Sequence, residues 1–151
     1  GITWDSVWLM ATCVFFVLIA IIDLQYRLVL NVLVFPAMLA TLLVHVLSPS
    51  MNGLAVMLGG TFGFGIFVLA ALVRPDGLGA GDIKLATLIG LIFGFPYALW
   101  ALAIGILGGG AAAIILLLTR RANLQSQMPY APFLCLGVLT ALFYNPLLTF
   151  R

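Results

Sequence analysis

Hydrophobic residues run in long blocks, and short polar interruptions mark where the blocks end. Apolar runs occupy residues 7–24, 32–47, 54–73, 83–93, 97–118 and about 129–142. A backbone facing lipid must satisfy its own hydrogen bonds, so each run is read as a helix. Ser48-Pro49-Ser50-Met51-Asn52 closes the second run as a turn. The third gives way to a polar loop, Arg74-Pro75-Asp76-Gly77-Leu78-Gly79-Ala80-Gly81-Asp82. The fourth is short and breaks at Gly94-Phe95-Pro96, where proline withholds a helical N–H. A polar stretch over 120–127 precedes the last run. The expected fold is all-α: a bundle of about six transmembrane helices in a single domain over residues 1–151.

Composition strengthens the membrane reading. The chain is 65% hydrophobic and 7% charged, against about 25% charged in a soluble domain. Its partner is therefore the lipid bilayer, and a net charge of +2 is too small to indicate nucleic acid. Cys13 and Cys135 lie within apolar runs with no metal-ligand spacing, so they read as small buried hydrophobes. The chain opens on Gly1 rather than Met, which suggests a processed product or a piece of a longer protein. No basic segment precedes residues 7–22, so this run reads as a permanent span rather than a signal peptide.

Charge sets the orientation. With six crossings, Arg27, Arg74, Lys84, Arg120 and Arg121 share one side, and only Arg151 lies on the other. The positive-inside rule makes the shared side cytoplasmic. Both termini then face outward, and Asp23 and Asp82 both lie at cytoplasmic helix ends. Two GxxxG patterns, Gly59 to Gly63 and Gly105 to Gly109, suit close helix packing.

Only four acids occur in the chain. Ionisable groups at membrane depth are costly and mark function by default. Two carboxylates sharing a proton can hydrolyse a peptide: one acts as base on water, and the other, protonated, polarises the scissile carbonyl. The chemistry requires two acids from different helices at one depth, which the topology supplies in Asp23 and Asp82. Each has a plainer reading, Asp82 as the N-cap of the fourth helix and Asp23 as a solvated helix-end residue. Gly79 and Gly81 permit φ > 0 and leave room for a substrate backbone beside Asp82. Lys84 is either a snorkelling interface anchor or a modulator of the Asp82 charge. Asp76 reads as a turn acid, Asp5 as a solvated one, and Arg120 and Arg121 as topology determinants. The single histidine, His45, falls near the opposite membrane face, and no H-E-x-x-H is present, which argues against a zinc protease. Two other classes compete. A proton- or ion-coupled transporter would place its acids near the bilayer centre. A non-catalytic assembly subunit would leave the Gly79–Leu85 string unexplained.

That string, Gly79-Ala80-Gly81-Asp82-Ile83-Lys84-Leu85, resembles the GxGD intramembrane aspartyl proteases and, more narrowly, the type IV prepilin peptidases. Ile22-Asp23-Leu24-Gln25-Tyr26-Arg27-Leu28-Val29-Leu30-Asn31 is similar to the family's first-aspartate region, with Leu30 where proline is usual. Met128-Pro129-Tyr130-Ala131-Pro132-Phe133-Leu134 is similar to its late element, with Ala131 in place of a glycine. The resemblance implies catalytic aspartates at Asp23 and Asp82, with Gly79, Gly81 and Lys84 in the active-site loop. It implies a prepilin or pseudopilin substrate, cut after glycine on the cytoplasmic side of a bacterial inner membrane, with no metal or other cofactor. Many members carry a preceding cytoplasmic region associated with N-methylation. No such region is expected within these residues, which leaves the protease portion. Oligomeric state is left open.

Overall fold

A computed structural model describes residues 3–47, 52–120 and 130–144. The turn expected at 48–52 and the basic stretch after Arg120 fall largely outside the described residues, as do Arg151 and the side chain of Asp5. Six helices are present among the described residues: α1 Trp4–Tyr26, α2 Asn31–Leu47, α3 Gly53–Val73, α4 Ala80–Phe93, α5 Ala98–Leu118 and α6 Ala131–Tyr144. The all-α expectation holds, and each apolar run is a helix.

The helix ends follow from local chemistry. Thr3 caps α1 by accepting the Ser6 N–H at 3.3 Å, and Asn52 caps α3 by accepting the Leu54 N–H at 3.2 Å. Arg27 ends α1 in the left-handed region (φ 51) and donates its backbone N–H to the Asp23 carbonyl. Gly94, at φ 67, ends α4 in a conformation that favours glycine.

Helix α4 is the central element. It packs along α3 and also meets α2, α5 and α6, while α1 lies against α6 and α6 along α5. Leu85, Ala86 and the run from Leu88 to Phe93 are all buried. Fourteen residues give α4 a length of about 21 Å, short of the roughly 30 Å hydrocarbon core. A helix sheathed by other helices need not match the bilayer. By contrast, α1, α3 and α5 are long and apolar enough to cross a membrane. Their outer faces expose Val14, Leu69, Leu72, Leu107 and Ile114, as expected of a multi-pass membrane protein.

Glycines set the close contacts. A Cβ on Gly59 or Gly63 would collide with the α4 backbone at Gly90 or Ala86, and a Cβ on Gly137 would collide with the Ala101 carbonyl of α5. In this antiparallel register Ala80 lies level with about Leu69, so α3 runs on past the start of α4. Likewise Gly109 of α5 meets Tyr130 just before α6. The remaining turns of α5, to Leu118, project about 13 Å beyond the start of α6. The short helices α2, α4 and α6 thus begin in a layer recessed below the ends of α3 and α5.

Candidate active site

Four helix termini converge in that layer: the end of α1 and the starts of α2, α4 and α6. Asp23 is in the last turn of α1 and only 4% exposed. Its carboxyl group takes a hydrogen bond from the Ala131 N–H at the start of α6. Its Oδ2 is buried with no partner among the described residues. Asp82 is in the first turn of α4 and 8% exposed. Its Oδ2 accepts the Gly79 N–H at 3.3 Å.

Asp23 and Asp82 line one cavity of about 280 Å³, together with Arg27, Leu28, Val29, Asn31, Lys84 and the Gly79–Gly81 segment. The charge of Asp23 acts on Asp82 across it. The structure therefore brings together every residue expected at the site. Asp76 is in the turn before α4 and is not among the lining residues. His45 is at the far end of α2, its Nδ1 2.7 Å from the Thr41 carbonyl oxygen. Among the described residues, no group of three or more His, Cys, Asp or Glu side chains could hold a metal.

Three local details differ from expectation. The cap position of α4 belongs to Gly79, and Asp82 lies three residues inside, turned back onto the Gly79 N–H. Asp82 thus supports the helix start while presenting its carboxyl group to the cavity. The glycines do not use left-handed backbone: Gly79 is extended at φ −79, and Gly81 lies within α4. What Gly81 supplies is room, since a Cβ there would be 2.6 Å from the Val29 Cβ. That clearance lets the α1–α2 connection pass close over the first turn of α4. Lys84 has partners on α2, which neither reading of it names. Its Nζ donates to Asn31 Oδ1 at 2.9 Å and lies 5.1 Å from the Phe35 ring centroid.

Sequence reasoning gave no role to Asn31 or Tyr130, or to the backbone of Ala131. Asn31 had a usable signal, being the one polar residue between Arg27 and the second apolar run. Ala131 contributes a main-chain N–H, which no side-chain pattern announces.

Comparison with known proteins bears on these residues. No solved structure matches the chain. The chain is 30% identical over 132 residues to a prepilin leader peptidase/N-methyltransferase of Bacillus subtilis (strain 168). The aligned region covers 85% of this chain and 52% of that protein, so the chain spans about half the length of this relative. Residues 10–117 match the type IV leader peptidase family. That span holds Asp23, Asp82 and the whole of their cavity wall. By this match, extending over most of its length, the chain belongs to the type IV leader peptidase family.

Proposed function

We propose that this chain is the peptidase portion of a prepilin leader peptidase, an aspartic endopeptidase working through Asp23 and Asp82. The observation that carries the proposal is the pair itself: two acids, each more than nine-tenths buried, facing one small cavity, one with an oxygen that has no partner among the described residues. Burying an ionisable group without full compensation is costly, and such sites cluster where chemistry is done.

In the cleavage step, water stands between the two carboxyl groups. The ionised carboxylate takes a proton from water as the water oxygen bonds to the scissile carbonyl carbon. The protonated partner donates its proton to the carbonyl oxygen. Collapse of the tetrahedral diol breaks the C–N bond: the protonated carboxyl group gives its proton to the departing nitrogen, and the ionised one takes a proton from a diol hydroxyl as the new carbonyl forms. The products are a carboxylic acid and an amine, and the pair again holds one proton. The Asp23 Oδ2, with no partner among the described residues, is free to take the water proton, and the Gly79 N–H keeps Asp82 oriented.

The substrate in this reading is a prepilin or pseudopilin cut after glycine, next to its apolar segment. The active site faces the cytoplasm of a bacterial inner membrane, because five cations share that side when all six helices cross. The test is cleavage of a purified prepilin by the protein in detergent or bilayer. Asp23→Asn and Asp82→Asn should each lower kcat by at least about 10²-fold with the fold intact, since an amide cannot share the proton. Asp76→Ala should cleave normally. Full cleavage by both Asp→Asn variants would overturn the assignment.

A further inference from the structure

The start of α6 has an unusual economy of donors. The Tyr130 carbonyl accepts the Phe133 N–H at 3.1 Å and the Leu134 N–H at 3.3 Å, so Tyr130 is the residue from which α6 departs. Pro132 has no N–H. The first turn therefore has one N–H left to give, that of Ala131, and it goes to the Asp23 carboxyl group. Being at a helix N-terminus, this donor also carries the favourable end of the helix dipole.

The direction of that N–H is set one residue earlier. The Tyr130 ring stands edge-on to Phe67 of α3, with centroids 6.2 Å apart, and to Phe133 of α6 at 6.5 Å. Its hydroxyl donates to the Ile106 carbonyl of α5 at 3.0 Å. Beneath the ring is Gly109, where a Cβ would be 2.6 Å from Tyr130 Cζ. The second GxxxG thus divides its labour. A Cβ on Gly105 would be 3.0 Å from the Leu134 Cα, a backbone approach, whereas Gly109 is a notch for an aromatic ring. A phenylalanine would fill that notch as well. The hydroxyl adds a fixed register between α5 and the residue that launches α6.

The geometry points to Tyr130 and Gly109 as positioning residues for the reaction: by seating the start of α6, they hold the Ala131 N–H on Asp23 and so fix the orientation of that carboxyl group. This inference rests on the peptidase reading for its catalytic consequence, but the link from Tyr130 to Asp23 can be measured without substrate.

The experiment uses the full chain with ¹³C-carboxyl-labelled aspartate in detergent micelles, alongside prepilin cleavage. The Asp23 carboxyl resonance is identified by its loss in Asp23→Asn. Tyr130→Phe removes the Ile106 hydrogen bond without changing a packed carbon. Ala131→Pro removes the donor itself at a helix position that tolerates proline. In both variants the Asp23 resonance is expected to move while that of Asp76 stays. Cleavage should show kcat reduced by about 10-fold or more with KM within about twofold, the mark of an interaction used in the transition state rather than in binding. An Asp23 resonance unchanged in Tyr130→Phe overturns the inference, as does a kcat loss that only follows loss of folded protein. Should Ala131→Pro fail to fold, Tyr130→Phe still decides. If the wild-type protein cuts no prepilin while the Asp23 resonance moves, the peptidase reading fails and the structural link stands.

Discussion

At the scale of single residues, the site costs stability. The Asp23 Oδ2 is buried with no partner among the described residues, and an unsatisfied buried polar atom costs about 1–3 kcal/mol. Replacing the side chain by an apolar one of similar size should recover part of that cost. Asp23→Leu is expected to be inactive yet more resistant to unfolding in detergent by about 1 kcal/mol. Unfolding monitored by circular dichroism checks this, and a destabilised Asp23→Leu would show that the Ala131 N–H bond to the carboxyl group outweighs the cost of its bare oxygen. Gly81 makes a second residue-level case. Its missing Cβ leaves the space that Val29 fills, so Gly81→Ala should lower both stability and activity by overpacking, at about 1–3 kcal/mol. Val29→Ala removes the clashing atoms and should restore most of the loss in the double variant. Failure of that rescue would place the need for glycine elsewhere, on the substrate side of the loop.

At the scale of elements, the site is a junction of helix ends, and its precision depends on ties between them. Helix α2 reaches α4 through the Lys84–Asn31 hydrogen bond and the position of Lys84 over Phe35. A hydrogen bond from a charged donor is worth about 1.5–3 kcal/mol when shielded, and less here because Asn31 is exposed. A double-mutant cycle with Lys84→Met and Asn31→Ala should therefore give a coupling of about 1 kcal/mol in unfolding free energy. Strictly additive effects would mean that the two helices are held by apolar packing alone. Much at this scale was legible in the sequence. Apolar runs fixed the six elements because lipid and core both demand continuous hydrophobicity, and Gly59 with Gly63 announced a backbone contact that α4 supplies. Helix starts were less legible. Helix α4 begins at Ala80, ahead of its apolar run, because the Gly79–Asp82 bond extends it into polar sequence. Gly109 looked like more of the same packing pattern, yet its neighbour is a ring from outside any helix, and the spacing of glycines carries no information on what will approach them.

At the scale of the whole molecule, the long helices α1, α3 and α5 and the short helices α2, α4 and α6 do different work. The long ones present apolar outer faces, while α4 is wrapped by protein on most sides and carries Asp82 at its start. Because α3 and α5 run on past the acid layer, the two aspartates are recessed, and in the proposed mechanism water reaches them from that end. Everything about sidedness then depends on whether the short central helix crosses. If α4 crosses, the turn before it and the turn after it face opposite compartments. Asp76 and Phe95 are both exposed and flank α4, so each can carry a reporter thiol in a Cys13→Ala, Cys135→Ala background. In right-side-out and inverted vesicles treated with a membrane-impermeant maleimide, Asp76→Cys should react from the cytoplasmic face alone and Phe95→Cys from the opposite face alone. Reaction of both from one face would remove the fourth crossing. The later helices would then reverse, Arg120 would separate from Arg27 and Arg74, and the charge argument for a cytoplasmic site would be lost, although the cavity shared by Asp23 and Asp82 would remain.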